Sequence, residues 1–239
     1  MRIYADSRGR GLFGDGDEKV KVFPGQGLSR IFEEIIKDSK EEDLGQVIVM
    51  AGIVDLTLKA KCGEILVVKE VEEGVREVER RLWRLVADTR NCKVVLATVA
   101  PMNIRIWNRR RKGYGQELKF GAHYEQMQIK LNLMVTEVNR RITSMNESRG
   151  LATPFLHSEV WCKRGKRGHV AQWWNLRDGV HPTERVMVKW RAMLVKTYAR
   201  NQVTLDSATR VTEELGKLGG ESDGDKEERF DKGRMERVG

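Results

Sequence analysis

At 239 residues, with 40% apolar and 33% charged side chains, the chain is long enough for one well-buried α/β domain and short for two. No run approaches the roughly eighteen apolar residues of a membrane span, and no apolar segment follows a basic amino terminus as a secretory signal would. The expectation is therefore a soluble intracellular protein, cytoplasmic or nuclear. Cys62, Cys92 and Cys162 are odd in number and far apart, so they support neither a disulfide framework nor a zinc site, and a reducing compartment fits.

The formal net charge is +9. From Leu205 onward, 7 Lys/Arg stand against 10 Asp/Glu, and Gly, Ser and mixed charge replace periodic apolar residues. Residues 205–239 read as a disordered charged tail, and residues 1–204 as the folded and basic part.

In chain order, Arg2 to Ala5 reads as a short strand and Val20 to Phe23 as a second, with Gly9, Gly11, Gly14 and Gly16 in the loop between them. Because a strand rather than a helix follows, these glycines do not form a dinucleotide fingerprint. Leu28, Ile31, Phe32, Ile35 and Ile36 recur at helical spacing, and Val47 to Met50 is the next strand. A long amphipathic helix is predicted over Ile65 to Val86, and Val94 to Val99 is a continuous apolar run suited to a buried parallel strand. After an irregular basic stretch, Tyr124 to Met145 carries Met127, Leu131, Met134, Val138 and Ile142 on one helical face. Phe155 to Val160 is expected as a last strand, and Thr183 to Tyr198 as a closing helix. Alternating strands and helices predict a three-layer α/β/α sandwich on a parallel, flavodoxin-like sheet, with ligands at the carboxyl edge.

Three short pieces fall at predicted strand ends or before the closing helix: Ala5-Asp6-Ser7-Arg8-Gly9, Ala51-Gly52-Ile53-Val54-Asp55 and Asp178-Gly179-Val180-His181-Pro182. Free serine is a weak nucleophile and needs an imidazole to take its proton and a carboxylate to fix that ring's tautomer. Asp178 and His181, three residues apart in a turn, offer such a pair to Ser7. His123, His157 and His169 form no metal-like constellation, so no metal is expected.

These pieces resemble the SGNH, or GDSL-type, hydrolases over about residues 1 to 200. Asp6-Ser7 looks like the family's Gly-Asp-Ser turn, Gly25 or Gly27 like the glycine after the second strand, Gly52 to Asp55 like Gly-x-Asn-Asp, and Asp178 to His181 like Asp-x-x-His. The resemblance implies Ser7 as nucleophile, His181 as base, Asp178 as its orienter, and an oxyanion hole made by the N–H of Ser7 and of Gly25 or Gly27. It implies an ester or acylated substrate and no cofactor. Ala5 departs from the family's first glycine. Val54 departs from its asparagine and removes a donor whose loss typically costs about 10²- to 10³-fold in turnover. Asn103 is a candidate for a substitute amide, and Asp55 reads as structural. The Ala-Gly-Ile-x-Asp piece, the Leu131 to Arg140 helix and Thr153-Pro154 are also similar to SGNH-like domains of invertebrate mobile elements.

Two basic stretches with aromatic neighbours remain. Arg105, Arg109, Arg110, Arg111 and Lys112 surround Trp107 and Tyr114, and Lys163, Arg164, Lys166 and Arg167 stand near Trp161, Trp173 and Trp174. They are candidate contacts for an acidic substrate or for nucleic acid. The alternative for both is a solvated loop anchored by its tryptophans. The sequence supports two readings: a serine esterase weakened by Val54, or an inactive SGNH-like domain that binds nucleic acid or a protein partner.

Overall fold

A computed structural model describes residues 1–13, 19–89, 92–113, 117–163 and 169–219. Its main sheet has four parallel strands in the order β2-β1-β3-β6, with β1 at Arg2–Ala5, β2 at Val20–Val22, β3 at Gln46–Met50 and β6 at Lys93–Leu96. That order, and helices between successive strands, give the predicted three-layer α/β/α architecture. The layers follow from side-chain alternation along the strands. Tyr4, Val47, Val49, Val94 and Leu96 enter one core with helices α1 (Leu28–Glu41), α2 (Val71–Asp88) and α4 (Tyr124–Glu147). Ile3, Ala5, Ile48, Met50 and Val95 enter the other, against Val186, Trp190 and Leu194 of α5, Glu184–Gly219.

Three elements differ from the sequence expectation. The helix predicted from Ile65 begins at Val71. Ile65–Leu66 is instead strand β5, pairing antiparallel with β4, Leu58–Lys59. The pairing is stabilised from outside the hairpin, because the Asn108 side chain accepts from the Ile65 N–H and donates to the Ile65 carbonyl. The basic stretch expected to be irregular is helix α3, Ile104–Lys112. Its start is capped by Asn103, whose side chain accepts from the Ile106 N–H at 2.9 Å, and Gly113 closes it.

The predicted strand Phe155 to Val160 does not form; Leu156–Glu159 is a 3-10 turn. The outward backbone of β6 and the segment after it, which a fifth strand would have used, is occupied by side chains of and beside α4. Asn146 accepts from the Leu96 N–H and donates to the Leu96 carbonyl, Asn139 does the same for Val99, and Arg149 donates to the Val94 carbonyl. Thr98 N–H reaches only the Pro154 carbonyl. An open parallel edge is an aggregation hazard, and here amides from a helix satisfy it. A short antiparallel pair, β7 (Trp161–Lys163) and β8 (His169–Ala171), follows.

Residues Met1–Asn201 form one compact unit. The closing helix is longer than predicted, running through Gly219 past the Leu205 composition break; residues 220–239 lie outside the described residues. Among the described residues no helix is long and apolar enough to cross a membrane.

Replacing Asn146 with Leu keeps the bulk and removes both amide functions, leaving the buried Leu96 N–H and carbonyl unpaired. Each unpaired group costs roughly 1–3 kcal/mol, so urea unfolding should report a loss of about 2–6 kcal/mol in total. A loss below roughly 0.5 kcal/mol, the level of an ordinary surface change, would mean that water serves this edge equally well.

Candidate functional site

Strand β1 ends at Ala5, and the chain turns at once into a 3-10 turn, Ser7–Gly9. Asp6 caps that turn, accepting from the Arg8 N–H at 3.0 Å, and its buried carboxylate is gripped by the Arg8 guanidinium. A further Arg8 nitrogen donates to the Ala100 carbonyl at 2.8 Å. Local capping and a buried ion pair thus hold the turn that displays Ser7, and tie it to the segment after β6.

The Asp178–His181 loop reaches Ser7 from the far end of the chain. Asp178 Oδ1 accepts from the backbone N–H of Val180 and of His181, at 3.0 and 2.8 Å. Its other oxygen lies 2.6 Å from His181 Nδ1, and His181 Nε2 lies 3.0 Å from Ser7 Oγ. A carboxylate only accepts, so Nδ1 carries the proton and Nε2 is left to accept from the Ser7 hydroxyl. Burial is the largest single influence on Asp178 and opposes its ionisation. The hydrogen bonds from the His181 backbone and ring and from the Val180 N–H together outweigh it, holding the carboxyl below its ordinary value. All three side chains remain partly exposed and therefore reachable.

The loop is seated on helix α3. The Asn103 N–H donates to the Gly179 carbonyl at 2.7 Å. Gly179 has φ +87, and a Cβ there would stand 2.8 Å from the Asn103 carbonyl oxygen and 3.0 Å from the Trp107 nitrogen, so only glycine allows this approach. Trp107 then faces His181, ring centroids 5.6 Å apart and tilted by 58°, and the Arg111 guanidinium lies over the Trp107 ring, 5.5 Å from its centroid. Trp107 was legible only as a companion of basic residues. Its contact with the histidine depends on a helix that the sequence pattern concealed.

Gly25 and Gly27 occupy the loop between β2 and α1. Gly27 is the N-cap residue of α1 and has no side chain to cap with. Asp55 does so instead, accepting from the Leu28 N–H with both oxygens at 3.2 and 3.0 Å, and it also binds Arg81. A Cβ on Gly27 would stand 2.7 Å from Asp55 Oδ1. Burial pushes the Asp55 carboxyl up, against the pull of Leu28 and Arg81. Asp55 is thus structural, as the sequence suggested. Val54 packs its side chain partly into the core and offers no donor; with Gln26, Gly27 and Arg81 it lines a cleft of about 450 Å³. The Asn103 side chain caps α3 through Oδ1, which accepts from the Ile106 N–H.

Of the nine basic residues singled out by sequence, Arg105, Arg109, Arg110 and Arg111 all lie exposed on α3. Lys163 is in β7, and Arg164, Lys166 and Arg167 lie outside the described residues, as does Tyr114. Lys112 is not free: it pairs with Glu64 at 2.7 Å. No local pattern marks Glu64, a buried carboxylate that also accepts from Tyr124 and from the Lys119 and Phe120 N–H groups. Among the described residues no group of His, Cys, Asp and Glu is arranged to hold a metal ion.

Solved structures share this architecture. A protein assigned as an acylhydrolase from Bacteroides fragilis matches with a TM-score of 0.55 at 13% identity, over 83% of this chain and 86% of its own. A GDSL-like lipase from Bacteroides thetaiotaomicron matches with a TM-score of 0.54 at 13% identity, over 83% and 87%. A protein assigned as lipolytic and of the G-D-S-L family, from Desulfitobacterium hafniense, matches with a TM-score of 0.50 at 12% identity, over 82% and 98%. The chain has the SGNH-hydrolase fold. At these identities the likeness is one of fold. No protein-family model matches the sequence, and no curated protein matches it. Helix α3 carries four arginines, Arg105, Arg109, Arg110 and Arg111, beside the loop that bears the histidine.

Glu64 gives the site a pH signature. Burial, the largest influence, opposes its charge, but Lys112, Tyr124 and the two N–H groups prevail and hold it at about 2. A carboxyl depressed below its ordinary value near 4.3 adds stability that is complete above that value and vanishes as pH falls through the folded one. Urea unfolding should therefore show stability falling between roughly pH 4.5 and 2. The Glu64→Gln variant should be weaker by about 2–4 kcal/mol at neutral pH, and should lack that portion of the fall. Identical pH profiles for the two proteins would remove Glu64 from this role.

Proposed function

We propose that the protein is a serine ester hydrolase acting by acyl transfer. The carrying observation is the continuous hydrogen-bonded chain Asp178–His181–Ser7, at 2.6 and 3.0 Å, assembled from the two ends of the domain. In this reading Ser7 Oγ attacks the ester carbonyl carbon while its proton passes to His181 Nε2. The tetrahedral intermediate collapses, the imidazolium gives that proton to the departing alcohol, and Ser7 is left acylated. Water then attacks the acyl carbon, its proton goes to His181, and Ser7 leaves with that proton as the acid is released. Asp178 keeps its charge throughout, holding the Nδ1–H tautomer and stabilising the imidazolium.

The developing oxyanion is assigned to the Ser7 N–H and to a glycine N–H of the loop after β2, Gly25 or Gly27. Val54 withholds the side-chain donor of the related fold, so the reading is of a slow enzyme acting on an ester or acylated small molecule, with no cofactor in the scheme. The alternative favoured by Val54 is a domain that keeps the fold and binds without turnover.

A fluorophosphonate probe at neutral pH separates them. The adduct is expected at Ser7 by mass, lost in Ser7→Ala and in His181→Ala, with Asp178→Asn lowering ester turnover about 10⁴-fold as at comparable sites. No adduct on a folded protein would sink the hydrolase reading and assign the domain to binding. If the oxyanion is short of one donor, Val54→Asn should raise kcat by at least about 10-fold with little change in KM, up to the roughly 10²- to 10³-fold that losing such a donor costs. An unchanged kcat would mean that residue 54 does not face the oxyanion.

A further inference from the structure

Among the described residues the arginines of α3 form no ion pair, a property shared with Arg80 of α2 and with Arg185 and Arg191 of α5; what distinguishes Arg111 is its place over Trp107, which faces His181. Arg30 on α1, Arg76, Arg81 and Arg84 on α2, and Arg140 and Arg141 on α4 each pair with a carboxylate. Helix α3 contains no acidic residue, and among the described residues Arg105, Arg109, Arg110 and Arg111 form no ion pair, whereas Lys112 is neutralised by Glu64. Cations in a last helical turn complement the macrodipole, which is worth only about 0.3–1 kcal/mol. That effect does not account for where these four side chains lie.

They divide between two sides of the helix. Asn103, Ile106 and Trp107 are the residues of α3 next to Gly179, and the three- and four-residue spacing of a helix adds Arg110 and Arg111 to the side of Trp107. Arg111 is stacked on Trp107, and Trp107 faces the His181 ring. Arg105 and Arg109, four apart, project from a different side. The partly buried indole thus forms one wall beside His181, with the Arg111 guanidinium over it and Arg110 on the same side of the helix.

We infer that Arg110 and Arg111 bind an anionic group of the substrate, so that the preferred esters carry a carboxylate or phosphate beyond the scissile bond on the α3 side. The inference rests on the hydrolase reading above. Guanidinium groups recognise both oxyanions through paired N–H donors, and a pair next to an apolar wall binds more strongly than the same charges in open water. Arg105 and Arg109, on the other side, take no part.

The test compares 4-nitrophenyl butyrate with 4-nitrophenyl hemisuccinate, esters of equal acyl length that differ in a terminal carboxylate. The full-length chain should show a higher kcat/KM for the hemisuccinate, with the advantage in KM and shrinking as salt is added. Arg110→Gln/Arg111→Gln should lower the ratio of the two specificity constants at least tenfold, and Arg105→Gln/Arg109→Gln should leave it unchanged. Pyrophosphate should inhibit competitively, with the same dependence on Arg110 and Arg111; inhibition by pyrophosphate without preference for the hemisuccinate identifies phosphate as the anion. Equal use of both esters with no pyrophosphate inhibition, while the probe still labels Ser7, overturns the inference and leaves the hydrolase reading standing.

Should no ester turn over, binding of hemisuccinate and pyrophosphate by tryptophan fluorescence decides the matter. Affinity lost only in Arg110→Gln/Arg111→Gln supports an anion site and ends the hydrolase reading; no affinity overturns both. Binding of a single-stranded oligonucleotide that weakens equally with either arginine pair overturns the inference in favour of a nucleic-acid surface.

Discussion

The fold depends on what becomes of the backbone at the β6 edge. A parallel strand with one neighbour leaves alternate N–H and carbonyl groups facing outward, and in a buried setting each must find a partner. Helix α4 supplies them with amides on one side: Asn146 serves Leu96, Asn139 serves Val99, and Gln128 accepts from the Ile104 N–H while donating to the Met102 carbonyl. The same helix buries Leu131, Met134, Val138 and Ile142 in the core. Its apolar stripe therefore fixes its depth, and its amides fix the course of residues 96–104.

That course positions the site. Residues 96–104 end in the N-cap of α3, and Asn103 holds Gly179, which lies between Asp178 and His181. Ala100, in the same segment, accepts from Arg8 and so anchors the Ser7 turn. Both halves of the Ser7–His181 contact are thus referred to one stretch of chain, and that stretch is referred to one helix. Precision at a site built on loops comes from such supporting hydrogen bonds rather than from the reacting side chains themselves. The fit of Gly179 against the Asn103 carbonyl belongs to this arrangement.

What the sequence made legible is what local chemistry determines. The Ser7 turn carries its own cap, the Asp178–His181 pair closes a local turn, and the apolar periodicity of α1, α2 and α4 belongs to single elements, so each could be read without knowing its neighbours. The missed features need partners distant in sequence. Phe155 to Val160 has the composition of a strand, but the place beside β6 was taken by Asn139 and Asn146. Helix α3 has its short apolar stripe masked by arginine, and Ile65 is held in β5 by Asn108, 43 residues away. Glu64 looked like any charged residue in a loop until four donors converged on it.

Val54 carries the remaining tension between fold and activity. An asparagine at this position in a related fold would spend its amide on the oxyanion; valine spends the same volume on the core beside Asp55, which still caps α1. The exchange separates two properties that one loop ordinarily serves together. On the proposed hydrolase reading, the exchange favours the margin of the core at the expense of electrostatic complementarity to the transition state. The Asp6–Arg8 pair, the Asn103–Gly179 bond and the Asp55 cap brace the loops around Ser7, His181 and Asp178. With one donor fewer at the oxyanion, the proposed reaction depends more heavily on substrate contacts made away from it.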